Sequence, residues 1–419
     1  MLGREDAVSV EKALELIFDR FTPALPSEIK IMIEDSYRRI LSRDISSPED
    51  LPQFARSTVD GFAVSASDTF GATEGLPAYL NIVGEIFMGE EPSFKIKKGE
   101  SARIATGGML PQGSDSVVMV EHVQQIDEKM IEVMKPVAPG ENVIQAGEDI
   151  KKGDIVLNKG HILRPQDVGA IAGLGITEIS VYERPRVSII STGDEIVSVD
   201  SQLKPGQVRD INSFNLAGLI SDVGGEPVKY GIFKDEYNLI RSAVEEALKD
   251  SVMVLITGGS SVGTRDVVAK VINDIGKPGV LFHGVSIKPG KPMIGGFINN
   301  KPVFGLPGHP AAITVCFKQF IEPVLKKLTG FSGGRFTDIK PTVKAKMKKN
   351  VSSSSGREDH IRVSIEEHGG EIWAVPILGK SGLITTLVKA DGIVVIPLRK
   401  LGIGHGEIVE VRLFSVNLE

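Results

Sequence analysis

The stretch VMVLITGGSSVGTRDVVAKVINDIG, residues 252–276, decides the fold. Its first five residues are apolar without a break, which suits a strand covered on both faces. A polar loop with three glycines follows, Thr257 to Asp266, and then an amphipathic run of helical length. The same rhythm extends outward through VSIIS (187–191), NSFNLAGLISDVG (212–224), VKYGIF (228–233) and EYNLIRSAVEEALKD (236–250). Strand–helix alternation at this spacing predicts right-handed βαβ units and a doubly wound, mostly parallel α/β sheet. The run PAAITVCFKQFIEPVLKKLTG (310–330) is expected to close that domain as a helix.

The flanks have a different texture. SVEKALELIFDRF (9–21) places Ala13, Leu14, Ile17, Phe18 and Phe21 on one helical face, and IKIMIEDSYRRILS (29–42) is read as a second helix. From about residue 50, short runs such as YLNIVGEIF, SARIAT and SVVMVEHV are separated by turn residues, which predicts a β-rich insertion. After about residue 330, runs such as TVKAKM, HIRVSI and EIVEVRL predict a terminal β-barrel-like domain, with Ser352–Ser355 expected as a mobile loop. Four domains are therefore expected. Residues 1–26 and 179–329 form the α/β domain, and 27–48 with 150–178 a small α/β linking domain. Residues 49–149 form the insertion, and 330–419 the C-terminal domain.

Bulk properties narrow the function. The 419 residues are 41% hydrophobic and 24% charged, as in a globular protein. A net charge of −6 gives no electrostatic support for nucleic-acid binding. No run of eighteen apolar residues suggests a membrane span, and MLGREDAVSVEK lacks the apolar core of a signal peptide. The lone cysteine, Cys316, sits in an apolar helix and excludes an internal disulfide or a thiolate zinc site. A reducing, cytoplasmic compartment is expected.

Ligands of doubly wound sheets bind beyond the carboxyl ends of the strands. Three such ends carry polar glycine loops: Thr192-Gly193-Asp194-Glu195, TGGSSVGTRD (257–266) and GLPGHP (305–310). Glycines let backbone N–H groups approach a ligand, and a helix start adds positive dipole, which together suit phosphate. Any one loop alone is more simply a tight turn; three in one domain favour a phosphate site. Thr264 stands where a Walker loop needs lysine, and no strand precedes a GxGxxG. IKPGKP sets Lys288 and Lys291 on a proline-stiffened loop, two cations for anionic oxygens. Asp194, Glu195, Asp210, Asp235 and Asp266 lie beside strand ends, where carboxylates hold Mg²⁺ or cap helices.

These segments resemble a known family. TGGSSVGTRD is similar to the signature of molybdopterin-binding domains. STVDGFA (57–63) resembles the S-x-M-D-G-Y/F-A segment of the MoeA and gephyrin E-domain family, and RIATGGMLPQGSDSVV (103–118) a second segment of it. GEDIKKGD, STGDE, GQVRDIN, SIKPGKP and GLPGHP follow in that family's order, so the resemblance spans nearly the whole chain. It implies a molybdopterin molybdenumtransferase, which inserts molybdate or tungstate into adenylylated molybdopterin with release of AMP. It also implies a homodimer whose active site is shared between subunits, with the pterin handed over by the adenylyltransferase acting one step earlier.

Carried onto this chain, the resemblance implies Asp60, Glu195, Asp266, Lys288 and Lys291 as catalytic residues, with Asp60, Glu195 and Asp266 as Mg²⁺ ligands. Thr106, Asp149, Asp235, Gly258, Gly259, Ser260, Gly263, Pro307, Gly308, Arg357 and Ser381 would contact substrate. Asp60 read alone is equally a turn residue before Gly61. Departures are Val59 for Met, Gly108 for Ala, and His309 for Asn, the last adding a titratable group. The stretch Val143-Ile144-Gln145-Ala146 also lacks the basic residues often found there. The alternatives are a molybdopterin adenylyltransferase or related nucleotide pyrophosphatase, neither expected to carry the 51–64 and 102–121 segments, and, more distantly, a gephyrin-type scaffold.

Overall fold

The computed structural model describes residues 7–258, 262–332 and 341–414, and for 262–266 the backbone course only. At its centre is a six-stranded sheet in the order Glu226–Phe233, Arg186–Thr192, Met253–Gly258, Lys301–Leu306, Ile294–Ile298, Pro278–His283. The first four strands are parallel and the last two antiparallel. The sheet is thus mostly parallel, as expected, with a hairpin added at one edge. Asn299 and Asn300 turn the chain from Ile294–Ile298 back into Lys301–Leu306 with φ of 48° and 69°, the left-handed pair that a two-residue hairpin turn requires.

Alternation along the buried strands explains the helices on both faces. Val187, Ile189, Met253 and Leu255 face a core shared with the helices Asn212–Asp222 and Pro310–Cys316. Ile190, Val254 and Ile256 face the other way, onto Tyr237–Asp250 and Val262–Ile275. The N-terminal helix Val10–Arg20, capped by Ser9 Oγ on Lys12 N at 3.1 Å, buries Val10, Ala13 and Ile17 in the first of these cores. Phe21 stacks there on Phe297, ring centroids 6.0 Å apart.

Two expectations fail. The stretch 29–42 is not a helix: Glu28–Met32 is a strand paired antiparallel with Glu178–Tyr182, followed by a short 3₁₀ turn. Ile29 and Ile31, two residues apart, share one face of the strand, and with Ile33 just beyond it they pack with Ile179 and Val181. Nor is Ser352–Ser355 a free loop. Val351–Ser352 pairs with Gly402–Ile403, and Ser353 N donates to Leu401 O at 2.7 Å.

The insertion is a six-stranded, half-barrel sheet in the order Ser116–Met119, Gly61–Val64, Glu100–Ile104, Ala78–Ile86, Met130–Val133, Val123–Gln125. The C-terminal domain is a closed barrel of five strands, in which Gly392–Ile396 pairs with Glu358–His368 to shut the ring. The short strand Ile287–Lys288 of the α/β domain pairs parallel with that same long strand, which ties the two domains together. Among the described residues, no helix is long and apolar enough to cross a membrane.

Candidate active site

The parallel ladder aligns Thr192 with Phe233 and Gly258, and Thr257 with Leu306, so their loops leave from one edge of the sheet. The backbones are in close contact there. A Cβ on Gly258 would lie 1.9 Å from Thr192 O, and one on Gly308 would come within 3.9 Å of the Gly258 Cα. Asn212 Nδ2 donates to Gly308 O at 2.9 Å, which joins the third loop to the helix Asn212–Asp222. Among the described residues, two buried polar atoms at this edge have no hydrogen-bond partner, Thr192 Oγ1 and Asn212 Oδ1. Sequence reasoning did not single them out, although both lie within segments it matched, STGDE and GQVRDIN.

The carboxylates near this edge differ in their surroundings. Asp210 is buried and occupied: it accepts from Ser191 Oγ at 2.7 Å and from Ser213 N at 3.1 Å, which anchors the helix start to the sheet. Asp194 and Glu195 are exposed, with Glu195 held through its carbonyl, which accepts from Val208 N at 2.9 Å. Asp235 is half-buried beyond the strand Glu226–Phe233. Gly259 and Ser260 lie outside the described residues, as do the side chain of Asp266 and the surroundings of Gly263.

Next to the GLPGHP loop is a cavity of about 840 Å³ between the α/β domain and the barrel. It brings together Lys288, Lys291, Pro307, Gly308, Arg357 and Ser381, all named from sequence, along with His309. Among the described residues, five cations line it, Lys288, Lys291, Arg357, Arg362 and Lys380, against a single carboxylate, Asp359. Ser381 Oγ lies 2.9 Å from His309 Nδ1, and Ala311 N donates to Ser381 O at 3.3 Å, so the barrel loop is fastened to the helix start. Arg362 Nη2 donates to Gly379 O at 3.1 Å, while burial pulls its guanidinium below the usual arginine value. Asp359, His360, Arg362 and Lys380 were missed. Asp359, His360 and Arg362 lie in the strand Glu358–His368 and Lys380 in the loop before Ser381, and nothing in their local sequence marks them as site residues.

Asp60 and Thr106 do meet, on the insertion sheet. Thr106 N and Oγ1 donate to Asp60 Oδ1 at 2.7 and 2.9 Å, and these two bonds hold the Asp60 carboxyl below its usual value. Gly61 must follow, because a Cβ there would lie 1.9 Å from Val118 O across the ladder. Neither residue lines the cavity, nor does the exposed Asp149, whose N–H donates to Leu51 O at 3.2 Å. Among the described residues, no three His, Cys, Asp or Glu side chains are grouped to hold a metal ion. The side chain of Asp266 lies outside the described residues, so this absence does not extend to the Asp60–Glu195–Asp266 set expected for Mg²⁺.

Comparison with known proteins fits this layout. Residues 8–175 match the MoeA N-terminal region (domain I and II), 188–327 a probable molybdopterin binding domain, and 344–414 the MoeA C-terminal region (domain IV). A molybdopterin molybdenumtransferase of a Nostoc species is 32% identical over 96% of this chain and 93% of its own. The chain belongs to the MoeA family. Another relative with that name, from Haemophilus influenzae, is 32% identical over 91% of this chain and 93% of its own. Two crystal structures of molybdopterin biosynthesis MoeA proteins from Pyrococcus horikoshii superpose with TM-scores of 0.82 and 0.83. They share 39% and 32% identity and cover 98% of this chain and all of theirs. The MoeA N-terminal match contains the Asp60–Thr106 pair, and the other two matches contribute the two walls of the cavity.

Proposed function

We propose that this chain works in the cytoplasm as a molybdopterin molybdenumtransferase, placing molybdate or tungstate on adenylylated molybdopterin with release of AMP. The observation that carries this reading is the cavity in which Lys288 and Lys291 from one domain face Arg357 and Ser381 from another. A tetrahedral dianion needs cations and donors converging from several directions, and side chains from two domains provide that. Beside it, the unpartnered Thr192 Oγ1 and Asn212 Oδ1, with the backbone of Gly258, Pro307 and Gly308, offer polar contacts to the pterin and its phosphates. As charge develops on the breaking phosphoanhydride, Lys288 and Lys291 would neutralise it.

A homodimer is part of the same proposal. The Asp60–Thr106 pair leaves an exposed carboxylate on the insertion, away from its own cavity, which supports its use by a second copy. Mg²⁺ belongs here as an ion carried in by the substrate's phosphates, with Glu195 and Asp266 as its candidate protein contacts. Delivery of the pterin by the preceding adenylyltransferase is compatible with so open a cavity.

The test is direct. Purified protein given adenylylated molybdopterin, molybdate and Mg²⁺ should release AMP, and Asp60→Ala or Asp266→Ala should greatly slow release. Protein that releases none, yet makes adenylylated pterin from ATP, performs the earlier step instead. A parallel reaction with tungstate reads metal choice, and light scattering reads the dimer.

A further inference from the structure

Among the described residues lining the cavity, Asp359 is the only carboxylate, and the reaction proposed above has no use for it. Its presence there is costly. The side chain is 1% exposed, so its charge is withdrawn from water, and it repels the anion the cavity would bind. What it gains is set by the joint between domains. Lys288 is the ladder partner of Asp359, and Glu358 N donates to Ser286 O at 2.9 Å, so the carboxylate sits where the α/β domain enters the barrel sheet.

From that joint it addresses two cations. Oδ1 accepts from Arg357 Nε at 2.8 Å. Oδ2 accepts no hydrogen bond and lies 4.0 Å from Lys288 Nζ. Tying Nε fixes the guanidinium plane and leaves its two outer amino groups to grip a ligand edge-on. Without the carboxylate, Arg357 and Lys288 would repel each other and regain rotamer freedom across the cavity.

We infer that Asp359 is a positioning residue for the anion site, holding Arg357 and Lys288 so that both face one oxyanion across the joint between the α/β domain and the barrel. The inference rests on reading this cavity as the oxyanion site. It makes a prediction of opposite sign to simple charge. Deleting a negative charge near an anion should tighten binding, whereas deleting a positioning group should weaken it.

The experiment titrates molybdate, with sulfate as a non-reacting dianion of the same shape, into the full-length wild type and its variants by calorimetry. Asp359→Asn should weaken molybdate binding about tenfold, the scale of one lost charge-assisted hydrogen bond. In an Arg357→Gln background the same change should cost less than about threefold, because the group it orients is already gone. In turnover, KM for molybdate should rise while kcat at saturation is largely kept. Unchanged or tighter binding by Asp359→Asn overturns the inference, and so does full additivity with Arg357→Gln, the mark of a merely structural role. If Asp359→Asn does not fold, Asp359→Glu carries the test, since its longer reach displaces the guanidinium while keeping the charge. Unchanged binding in that variant also overturns it. A wild type that binds neither anion refutes the cavity's functional reading itself, which is a different result from binding that ignores Asp359.

Discussion

Gly258 and Gly308 face each other across the sheet edge, and alanine at each should do opposite things. At Gly258, φ is +131°, and an added Cβ would lie 1.9 Å from Thr192 O and 2.7 Å from its carbonyl carbon. Both obstacles are backbone, so no side chain can swing aside. A non-glycine residue in that region costs about 1–3 kcal/mol. Forcing the strand ends apart adds about 1–3 kcal/mol more, as overpacking does elsewhere. Together these reach about 2–6 kcal/mol, a large part of a typical domain's stability. At Gly308 an added Cβ meets nothing nearer than 3.9 Å, an ordinary contact. Gly308→Ala should therefore shift stability by no more than about 0.5 kcal/mol. It would still add a methyl group to a loop that lines the cavity, and the KM for pterin or molybdate should rise. Urea unfolding followed by far-UV circular dichroism, with AMP release measured on the same preparations, separates the two. The reasoning is refuted if Gly258→Ala unfolds within about 1 kcal/mol of wild type, or if Gly308→Ala is the more destabilised variant.

Three further outcomes are expected. Asp167 accepts from Arg164 Nε and Nη2 at 2.9 Å and from its N–H at 2.8 Å, with His161 at 2.7 Å, and the arginine above all holds its carboxyl far below the usual range. Its contribution is then complete above the unfolded carboxyl value of about 3.9 and fades as pH falls through the depressed folded value. Asp167→Asn should cost about 2 kcal/mol at neutral pH, with the gap to wild type narrowing in acid; a gap independent of pH down to pH 2 would contradict the ion-pair origin. Thr106→Ala removes one of the two bonds that lower the Asp60 carboxyl, so the acid limb of AMP release should move to higher pH, and an unmoved limb would mean that Asp60 need not be ionised. Cys316 is fully buried and its thiol pushed up to about 12, so a thiol reagent should label it only in urea, and rapid native labelling would show that the helix opens.

The central sheet was legible because its strands are buried on both faces, which turns a tertiary fact into a local one: an unbroken apolar run such as Met253–Ile256. Glu28–Met32 was misread for the opposite reason. It has only one covered face, and its partner, Glu178–Tyr182, lies about 150 residues away, beyond any local window. The carboxylates show the same limit. A strand-end Asp that binds a ligand and one that anchors a helix share the same neighbours in sequence, so both roles stay open for Asp210 until Ser191 Oγ and Ser213 N occupy it and the helix-anchoring one holds.

The cavity divides along the same line. Lys288, Lys291 and the GLPGHP loop announce themselves through glycine and proline, whose spacing is local. Asp359 does not, because it is buried by a ladder to Ile287–Lys288, more than seventy residues earlier. A barrel strand that closes its own sheet and also accepts a strand from the neighbouring domain can hold a charge with almost no exposure, because Arg357 of its own domain bonds one oxygen and Lys288 of the other approaches the second. Lys288 approaches Asp359 across that joint, so the charges that would define the anion site also link the two domains. A change at the joint should then be felt in anion affinity before it is felt in the packing of either core.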